Sequence, residues 1–333
     1  MFLLSKVFAN EVFNFDVTEA EIIEEGNIFL GKKGGVATTQ DGTTISAENF
    51  RYNKNLNILN AKGNVIVYDV INNVTIESED ITYLKNEELI YTKSRTKAKD
   101  EFTEIEGDEF NLKKKLNILN AKGDVQIRDN LKEYFIKAED ITYEKNQEKI
   151  FTKGKTIAKI QSKYYFDSED VILLRNKMEL ISNSKSTIRD DENTIYQLDK
   201  FKYFINKQIL NGKNILVITN YLEPKSDTIF FKNGIFNFLD KKFVSKDTKI
   251  ILHKTLFDKE RIKINNLSND DKEEERLKRF DGQNDPRIIG VSSSGDKNKT
   301  IINKAIFTSC KKKDDCPAWH IEAEKITHDK INK

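Results

Sequence analysis

A ten-residue segment occurs twice in the chain and constrains how everything around it can fold. Leu56 to Val65 reads LNILNAKGNV and Leu116 to Val125 reads LNILNAKGDV, so nine of ten positions recur at an offset of 60 residues. The segments that follow, Ser78 to Tyr83 and Ala138 to Tyr143, keep the same offset without a gap. Self-similarity at a fixed period indicates one supersecondary unit stacked on copies of itself. The chain is therefore predicted to be a repeat array.

Each period divides into two shorter units. An acidic half-motif of the type Ala/Ser-Glu-Asp-Ile-x-Tyr starts about every 30 residues. Each unit then runs through an apolar alternation, a polar turn such as Asn53 to Asn55, and a second alternation that often ends in Gly-x-Val. This order predicts a strand, turn, strand unit. The copies begin at Ala47, Ser78, Gly107, Ala138, Ser168 and, more weakly, Leu198.

Period-two alternation gives these strands one apolar and one polar face. Phe50 and Tyr52 share the apolar face, whereas Arg51 between them can meet water. The inward positions of these strands include Phe50, Tyr52, Val65, Val67, Ile76, Ile81, Tyr83, Val125, Ile127, Ile136, Ile141 and Tyr143.

The apolar positions change parity inside two predicted strands, between Ile76 and Ile81 and between Ile136 and Ile141. A strand cannot change face without a bulge or a bend. We therefore expect the Glu-Asp pairs to mark a corner at which the chain turns into a second sheet. Because such pairs recur in every unit, they are interpreted as solvated corners and not as catalytic carboxylates.

The chain is predicted to be organised in four parts. Residues 1–9 read either as the stub of a truncated signal peptide, with Val7 and Ala9 at the small-residue positions before a cleavage site, or as a plain N-terminal strand. Residues 10–265 form the β array, and residues 266–300 form a charged loop with a short helix over Asp270 to Phe280. Residues 301–333 contain the last strands and a cysteine-containing junction.

Composition argues against several function classes. The 56 basic and 54 acidic residues nearly cancel, so no whole-chain field favours nucleic acid. The sequence has no phosphate-cradling glycine motif, no nucleophile elbow and no suggestive Ser, His and Asp set. We expect no enzyme activity, no catalytic residues and no cofactor. An enzymatic alternative is a parallel β-helix lyase or hydrolase, whose coils are usually shorter than ~30 residues.

The two cysteines, Cys310 and Cys316, lie close together near the end of the chain. A zinc site with His320 and His328 is disfavoured, because five residues between the cysteines exceed the usual knuckle spacing. A disulfide is the better interpretation, formed either between these two thiols or with cysteines elsewhere in a longer chain. No metal site is expected.

The units resemble the organic-solvent-tolerance (OstA) repeats of lipopolysaccharide-transport proteins. The resemblance rests on [Ala/Ser]-Glu-Asp-Ile-x-Tyr followed by Leu-x-x-x-Gly-x-Val, and it covers nearly the whole chain. The stretch Phe307 to Cys310, with Cys316 to Trp319 and Ile326 to Asp329, is similar to the jellyroll-to-barrel junction of the outer-membrane LptD branch. That branch's barrel is absent here, as is a cysteine near the N-terminus for its inter-domain disulfides.

The resemblance implies an all-β, repeat-built open jellyroll of OstA/LptA-like type, made of two facing twisted antiparallel sheets. It implies a location on the periplasmic side of the outer membrane and passage of lipopolysaccharide acyl chains to a barrel along a trough, for which the twelve inward residues named above are the candidates. The other interpretation of these residues is the packed core of an ordinary closed sandwich. The implied partners are an LptA-like bridge protein, joined by strand addition at the N-terminal edge, and an LptE-like lipoprotein. The alternatives are a free-standing LptA-like bridge protein or a β-solenoid carbohydrate-active or adhesin protein. A sealed, tightly filled interior would count against lipid carriage.

Overall fold

A computed structural model of the chain describes residues 12–219, 221, 228–251, 286–308 and 319–329. Within these ranges the protein is all-β, with strands joined by tight turns, five of which contain one turn of 3-10 helix. The helices described there are all too short to cross a membrane. The chain divides into two compact units, Met1–Gly154 and Lys155–Lys333.

The strands of the first unit are β1 (Phe13–Ile23), β2 (Ile28–Thr39), β3 (Thr44–Ala47), β4 (Asn49–Asn53), β5 (Ile58–Asp69), β6 (Val74–Leu84), β7 (Leu89–Tyr91), β8 (Thr96–Lys99), β9 (Thr103–Gly107), β10 (Glu109–Lys113), β11 (Ile118–Asp129) and β12 (Tyr134–Glu144). The unit boundary falls within β13 (Lys149–Ile160). The 3-10 turns of this unit are Glu24–Gly26, Lys85–Glu87, Lys114–Leu116 and Lys145–Gln147.

The strands of the second unit, after β13, are β14 (Tyr164–Glu169), β15 (Ile172–Leu174), β16 (Glu179–Ser182), β17 (Ser186–Arg189), β18 (Ile195–Leu198), β19 (Lys200–Phe204), β20 (Ile209–Ile218), β21 (Thr228–Asn237), β22 (Lys242–Ile251), β23 (Arg287–Gly295), β24 (Lys299–Thr308) and β25 (Ile321–Asp329). Its 3-10 turn is Ile205–Lys207.

The first unit is one antiparallel meander whose strands bend near their middles. β2 pairs with β1 on one edge, and its other edge pairs first with β4 and then with β3. β3 and β4 both pair with β5, so they act as one strand interrupted at Glu48. β7 and β8 likewise act as one interrupted strand, because both pair with β6. β9 and β10 form another, because both pair with β11. The predicted pair of facing sheets is therefore a single hydrogen-bonded sheet that folds over.

The fold line runs through the predicted corners. In β5 and β6, Lys62 pairs with Asp80 and Val65 with Ser78, so Gly63 and Asn64 together oppose Glu79. A bulge of two residues against one bends the strand and increases its twist. Gly123 and Asp124 repeat the bulge in β11. The corner prediction is confirmed, but Gly-x-Val lies in the middle of a long strand and not at its end.

Glycine is required at these bulges for two reasons. Gly63 and Gly123 have φ of +84° and +76°, in the left-handed region that other residues enter at a cost. A Cβ added at Gly63 would lie 2.6 Å from Glu48 Oε2, and one added at Gly123 would lie 2.5 Å from Asp108 Oδ2. The repeat thus conserves its glycine because neighbouring strands approach closely at the fold line.

The two halves of the folded sheet pack face to face. The Phe13 ring, near the start of β1, lies 5.1 Å from the ring of Tyr52 in β4, and the two rings meet edge to face. Phe15 stacks on Phe29 with a centroid distance of 4.3 Å. Such aromatic pairs add to the free energy gained by burying their area. The apolar faces predicted from alternation therefore form the interior.

The second unit is also an antiparallel meander, and its interior is richer in aromatic rings. The Tyr164 ring stacks on Phe238 at 5.0 Å, and Phe166 lies 5.1 Å from Tyr203. From β20 to β25 each strand pairs with the next along the chain. Every strand pairing in the described ranges is antiparallel, so the β-solenoid alternative, which needs parallel rungs, is wrong for them.

One stretch predicted as loop contains a strand. Within residues 266–300, β23 pairs with β22 on one edge and β24 on the other. Of its three serines only Ser293 is buried, and its hydroxyl lies 2.7 Å from the hydroxyls of both Ser245 and Thr248. Serine-rich composition therefore misled the prediction. The helix predicted over Asp270 to Phe280 and the segment 1–9 lie outside the described residues.

Candidate functional site

The structure places all twelve candidate trough residues inside the first unit. They come from both halves of the folded sheet, and all are buried, with exposures between 0% and 8%. Tyr83 and Ile136 are among the largest fully buried side chains. Alternation thus identified the interior correctly, and in this conformation the residues pack against one another as a core.

A cavity found between the two halves is small. A cavity of about 30 Å³ lies between Ile76, Ile105, Leu119 and Tyr143. That volume has room for one or two water molecules. An acyl chain therefore enters this interior only if the two halves of the sheet move apart. The expected open trough is closed in this conformation, which counts against lipid carriage by a rigid interior and restricts it to a form in which the halves part.

Two rows of turns meet where the folded sheet closes on itself. The acidic row consists of residues 39–43, 69–73 and 99–102, and the lysine row consists of residues 85–88, 114–117 and 145–148. We call the line along which they meet the seam. Consecutive turns within the lysine row are joined by backbone hydrogen bonds, such as Lys114 N to Glu88 O at 2.9 Å.

Lys114 carries the most enclosed contacts of the seam. Its Nζ donates to Asp41 Oδ2 at 3.0 Å and to Thr43 Oγ1 at 2.6 Å, and it lies 3.8 Å from Asp69 Oδ2. Only 4% of the Lys114 side chain and 1% of the Asp69 side chain are exposed. Charge-assisted hydrogen bonds of this kind are stronger than neutral ones and offset the cost of burial only when the partners are in place.

Lys85 and Lys145 make the neighbouring contacts of the seam. Lys85 Nζ lies 3.7 Å from Asp41 Oδ2 and also pairs with Glu88 in its own turn. Lys145 Nζ donates to the Asn72 carbonyl oxygen at 2.7 Å and lies 3.4 Å from Asp100 Oδ2. Three lysines spaced about 30 residues apart thus each reach the acidic row.

Two carboxylates of the acidic row are held in their ionised form. Burial acts to raise the pKa of Asp41, but hydrogen bonds from Thr39 and Lys114 outweigh it and hold the pKa below its ordinary value. Burial likewise opposes ionisation of Asp100, and the Thr103 backbone N–H together with Lys145 lowers its pKa. Both carboxylates are therefore charged at neutral pH.

Tyr83 connects the interior to the seam. Its ring is fully buried, whereas its hydroxyl donates to Glu88 Oε2 at 2.6 Å and lies 3.4 Å from Lys114 Nζ. Burial, followed by the hydrogen bond to Glu88, raises the pKa of Tyr83 well above its ordinary value. The motif tyrosine thus presents an apolar face to the interior and a neutral hydroxyl to the ion pairs.

Only side chains bridge the two rows. In the part of the chain that the structure describes, no backbone-to-backbone hydrogen bond crosses the seam. The bridges are ion pairs and hydrogen bonds donated by lysine side chains. The seam can therefore part without breaking any strand pairing, whereas parting neighbouring strands would break a ladder of backbone hydrogen bonds.

The seam was missed in the sequence, where the turns were interpreted only as polar connections. A signal was present: Asp69 and Asp129 keep the 60-residue offset, as do Lys85 and Lys145. Carboxylates recur in one set of turns and lysines in the other. The disulfide candidates Cys310 and Cys316 lie outside the described residues.

Bridging contacts of the second unit join turns in a similar way. The Tyr164 hydroxyl donates to Gln208 Oε1 at 3.0 Å. Lys241 Nζ and Lys297 Nζ lie 3.3 and 3.5 Å from Glu192 Oε1. The side chains of Lys241, Lys297 and Glu192 are more exposed than that of Lys114.

Comparisons with known proteins return likenesses to solved structures. No family model and no curated protein matches the chain. Among solved structures, the chain is similar to LptH from Pseudomonas aeruginosa, the LptA-homologous periplasmic component of the conserved lipopolysaccharide transport device. The TM-score is 0.31 and the identity is 14%, and the match covers 34% of this chain and 86% of LptH.

Proposed function

We propose that the protein is a non-enzymatic lipid carrier of the cell envelope. It holds the acyl chains of lipopolysaccharide between the two halves of its folded sheet, with the sugar and phosphate head outside. The observation that carries the proposal is an apolar interior closed along one line by side chains alone. No cofactor is needed for this role.

The free energy of burying apolar surface supports an interior in which contacts with lipid replace contacts between side chains. Acyl chains gain roughly 25 cal/mol per Å² of apolar surface removed from water. The twelve interior residues, Phe50 to Tyr143, offer such a surface once the seam parts. The separated halves would otherwise expose that surface to water, so lipid stabilises the parted form.

Within this function we favour the periplasmic portion of an LptD-type assembly protein over a free-standing LptA-like bridge. The support is the junction-like stretch from Phe307 to Trp319, of which the structure describes only the ends. In the described ranges β1 pairs with β2 alone, which leaves an edge suited to strand addition by an LptA-like partner. An LptE-like lipoprotein would join at the outer membrane.

Site-specific photocrosslinking tests lipid carriage. Tyr143, which lines the interior cavity, is replaced by p-benzoylphenylalanine in the full chain, and the same replacement at Tyr68 on the outer face is the matched control. The two positions are both tyrosines of the first unit, so the probe perturbs size similarly. We expect crosslinks to lipopolysaccharide from position 143 and few from position 68. Equal crosslinking from both positions, or none from 143, would refute carriage.

A further inference from the structure

The lysine row has the character of an anion site, and the acidic row already occupies it. Lys114 Nζ contacts oxygens of Asp41, Thr43 and Asp69 from the opposite row, and Glu88 Oε2 of its own row lies 3.8 Å away. Carboxylate and phosphate oxygens are interchangeable partners for an ammonium group. The acidic row therefore blocks a site that another anion of the same chemistry would use.

The location of this site couples it to the interior. Tyr83 has its ring in the core and its hydroxyl 3.2 Å from Lys85 Nζ and 3.4 Å from Lys114 Nζ. An amphiphile with its chains in the interior would place its head at the depth of these ammonium groups. A phosphate there attracts the lysine row and repels the acidic row, so binding and parting favour each other.

Resting on the proposed lipid carriage, we propose that the seam is a gate opened by the phosphate head of the carried lipid. The phosphate displaces the acidic row from the lysine row, and the two rows separate. Without the lipid, the carboxylates take the place of the phosphate and keep the interior closed. The gate thus selects amphiphiles that carry both apolar chains and an acidic head.

The experiment uses the full chain with p-benzoylphenylalanine at position 143 and measures the fraction crosslinked to lipopolysaccharide. Asp41→Asn with Asp100→Asn removes charge from the acidic row, and we expect loading to rise by about fivefold or more. Lys145→Gln removes a seam ammonium group whose side chain is 22% exposed, and it is expected to lower loading by a similar factor. The two rows therefore act in opposite directions, which a general loss of stability would not produce.

Two controls make the result specific. Glu104→Gln breaks the 2.7 Å ion pair with Lys97, which joins neighbouring strands and does not bridge the two rows, and should leave loading unchanged. Dephosphorylated lipopolysaccharide should load poorly and respond little to Lys145→Gln. The gate is overturned, while carriage stands, if the acidic-row and lysine-row variants change loading in the same direction. It is also overturned if Lys145→Gln lowers the loading of dephosphorylated lipopolysaccharide as much as that of the phosphorylated form. If position 143 never crosslinks in the unaltered chain, carriage itself fails.

Inorganic phosphate separates the lipid head from a free anion. Hydrogen exchange at residues 39–43 and 114–117 reports parting of the rows. We expect phosphorylated lipid to accelerate this exchange and inorganic phosphate at the same concentration to leave it unchanged, because the free ion lacks the chains that hold it at the seam. Acceleration by inorganic phosphate alone would overturn the assignment to a lipid.

Discussion

Lys114 shows how much a single residue contributes at the seam. Its ammonium group joins turns that are 73 residues apart in sequence, and it is the most buried cation among the seam contacts. A buried charge that loses its partner is strongly destabilising, because desolvation is no longer offset. The side chain is therefore a structural closure as well as a candidate contact for lipid.

Lys114→Met is expected to lower the free energy of unfolding of the first unit by about 3 kcal/mol. The substitution leaves Asp69 buried without its cation. Hydrogen exchange of amides in β5 and β11 measures the effect, since Trp319, the single tryptophan, belongs to the second unit. Lys97→Met, at a half-exposed ion pair, should cost less than about 1 kcal/mol. Equal losses of unfolding free energy in Lys114→Met and Lys97→Met would contradict a special contribution of the seam contact.

At the scale of the strand, the glycine bulges decide where the sheet folds. Gly63 and Gly123 sit in the same register of two strands one period apart, each opposite the glutamate of a Glu-Asp pair. The bulge supplies bend and twist together, and the positive φ makes glycine the favoured residue. Two local bulges, each of two residues against one, thus set where the sheet of this unit bends.

Gly63→Ala is expected to destabilise the first unit by about 2 kcal/mol, since it combines left-handed strain with a clash against Glu48. Gly154→Ala is the matched control. Its φ is +73° but nothing lies within 4 Å of the added Cβ, so only the strain of about 1 kcal/mol remains. Thermal denaturation followed by far-ultraviolet circular dichroism measures both. A larger loss at Gly154 would contradict the close approach at the fold line.

At the scale of the whole molecule, the two units place carboxyl groups in opposite electrostatic environments. Asp41 and Asp100 in the first unit have pKa values below the ordinary range, for the reasons given above. Burial raises the pKa of Asp190 in the second unit, and backbone N–H groups of Thr194 and Glu192 only partly oppose it. Acidification is therefore expected to act differently on the two units.

The stability of the first unit should fall as the pH drops below about 4, where unfolded aspartate begins to bind protons. A lowered folded-state pKa means that the unfolded chain binds more protons, so stability rises with pH through this window and is lost below it. Hydrogen exchange of first-unit amides between pH 6 and pH 3, corrected for intrinsic rates, measures the change. In the Asp41→Asn variant, the stability of the first unit should depend less steeply on pH. An unchanged slope of stability against pH would contradict the role of Asp41.

In the second unit, the contribution of Asp190 to stability has the opposite dependence on pH. A raised folded-state pKa means that the folded form binds more protons near pH 4, so this group stabilises folding at low pH and loses that contribution as the pH rises. Asp190→Asn keeps an oxygen for the backbone N–H donors of Glu192 and Thr194, both at 2.9 Å. Its stability at neutral pH should equal or exceed that of the unaltered protein.

The sequence by itself determined the period, the strand and turn order, and the side of each strand that becomes interior. These properties are local: period-two alternation in Phe50 and Tyr52, or the parity change from Ile76 to Ile81, fixes a face whatever the strand packs against. The corner followed from the same pattern. The strand Arg287–Gly295 was not predicted because its serine-rich second half, in which only Ser293 is buried, carries no apolar alternation.

Only the tertiary structure decided that the interior is closed and what closes it. Lys114 and Asp41 meet because the sheet folds at its bulges and brings two rows of turns together, and no short-range pattern specifies that angle. Apolar alternation is equally compatible with an open trough and a packed core. The difference lies in ion pairs between residues far apart in sequence, whose contact depends on the register and bend of every strand between them.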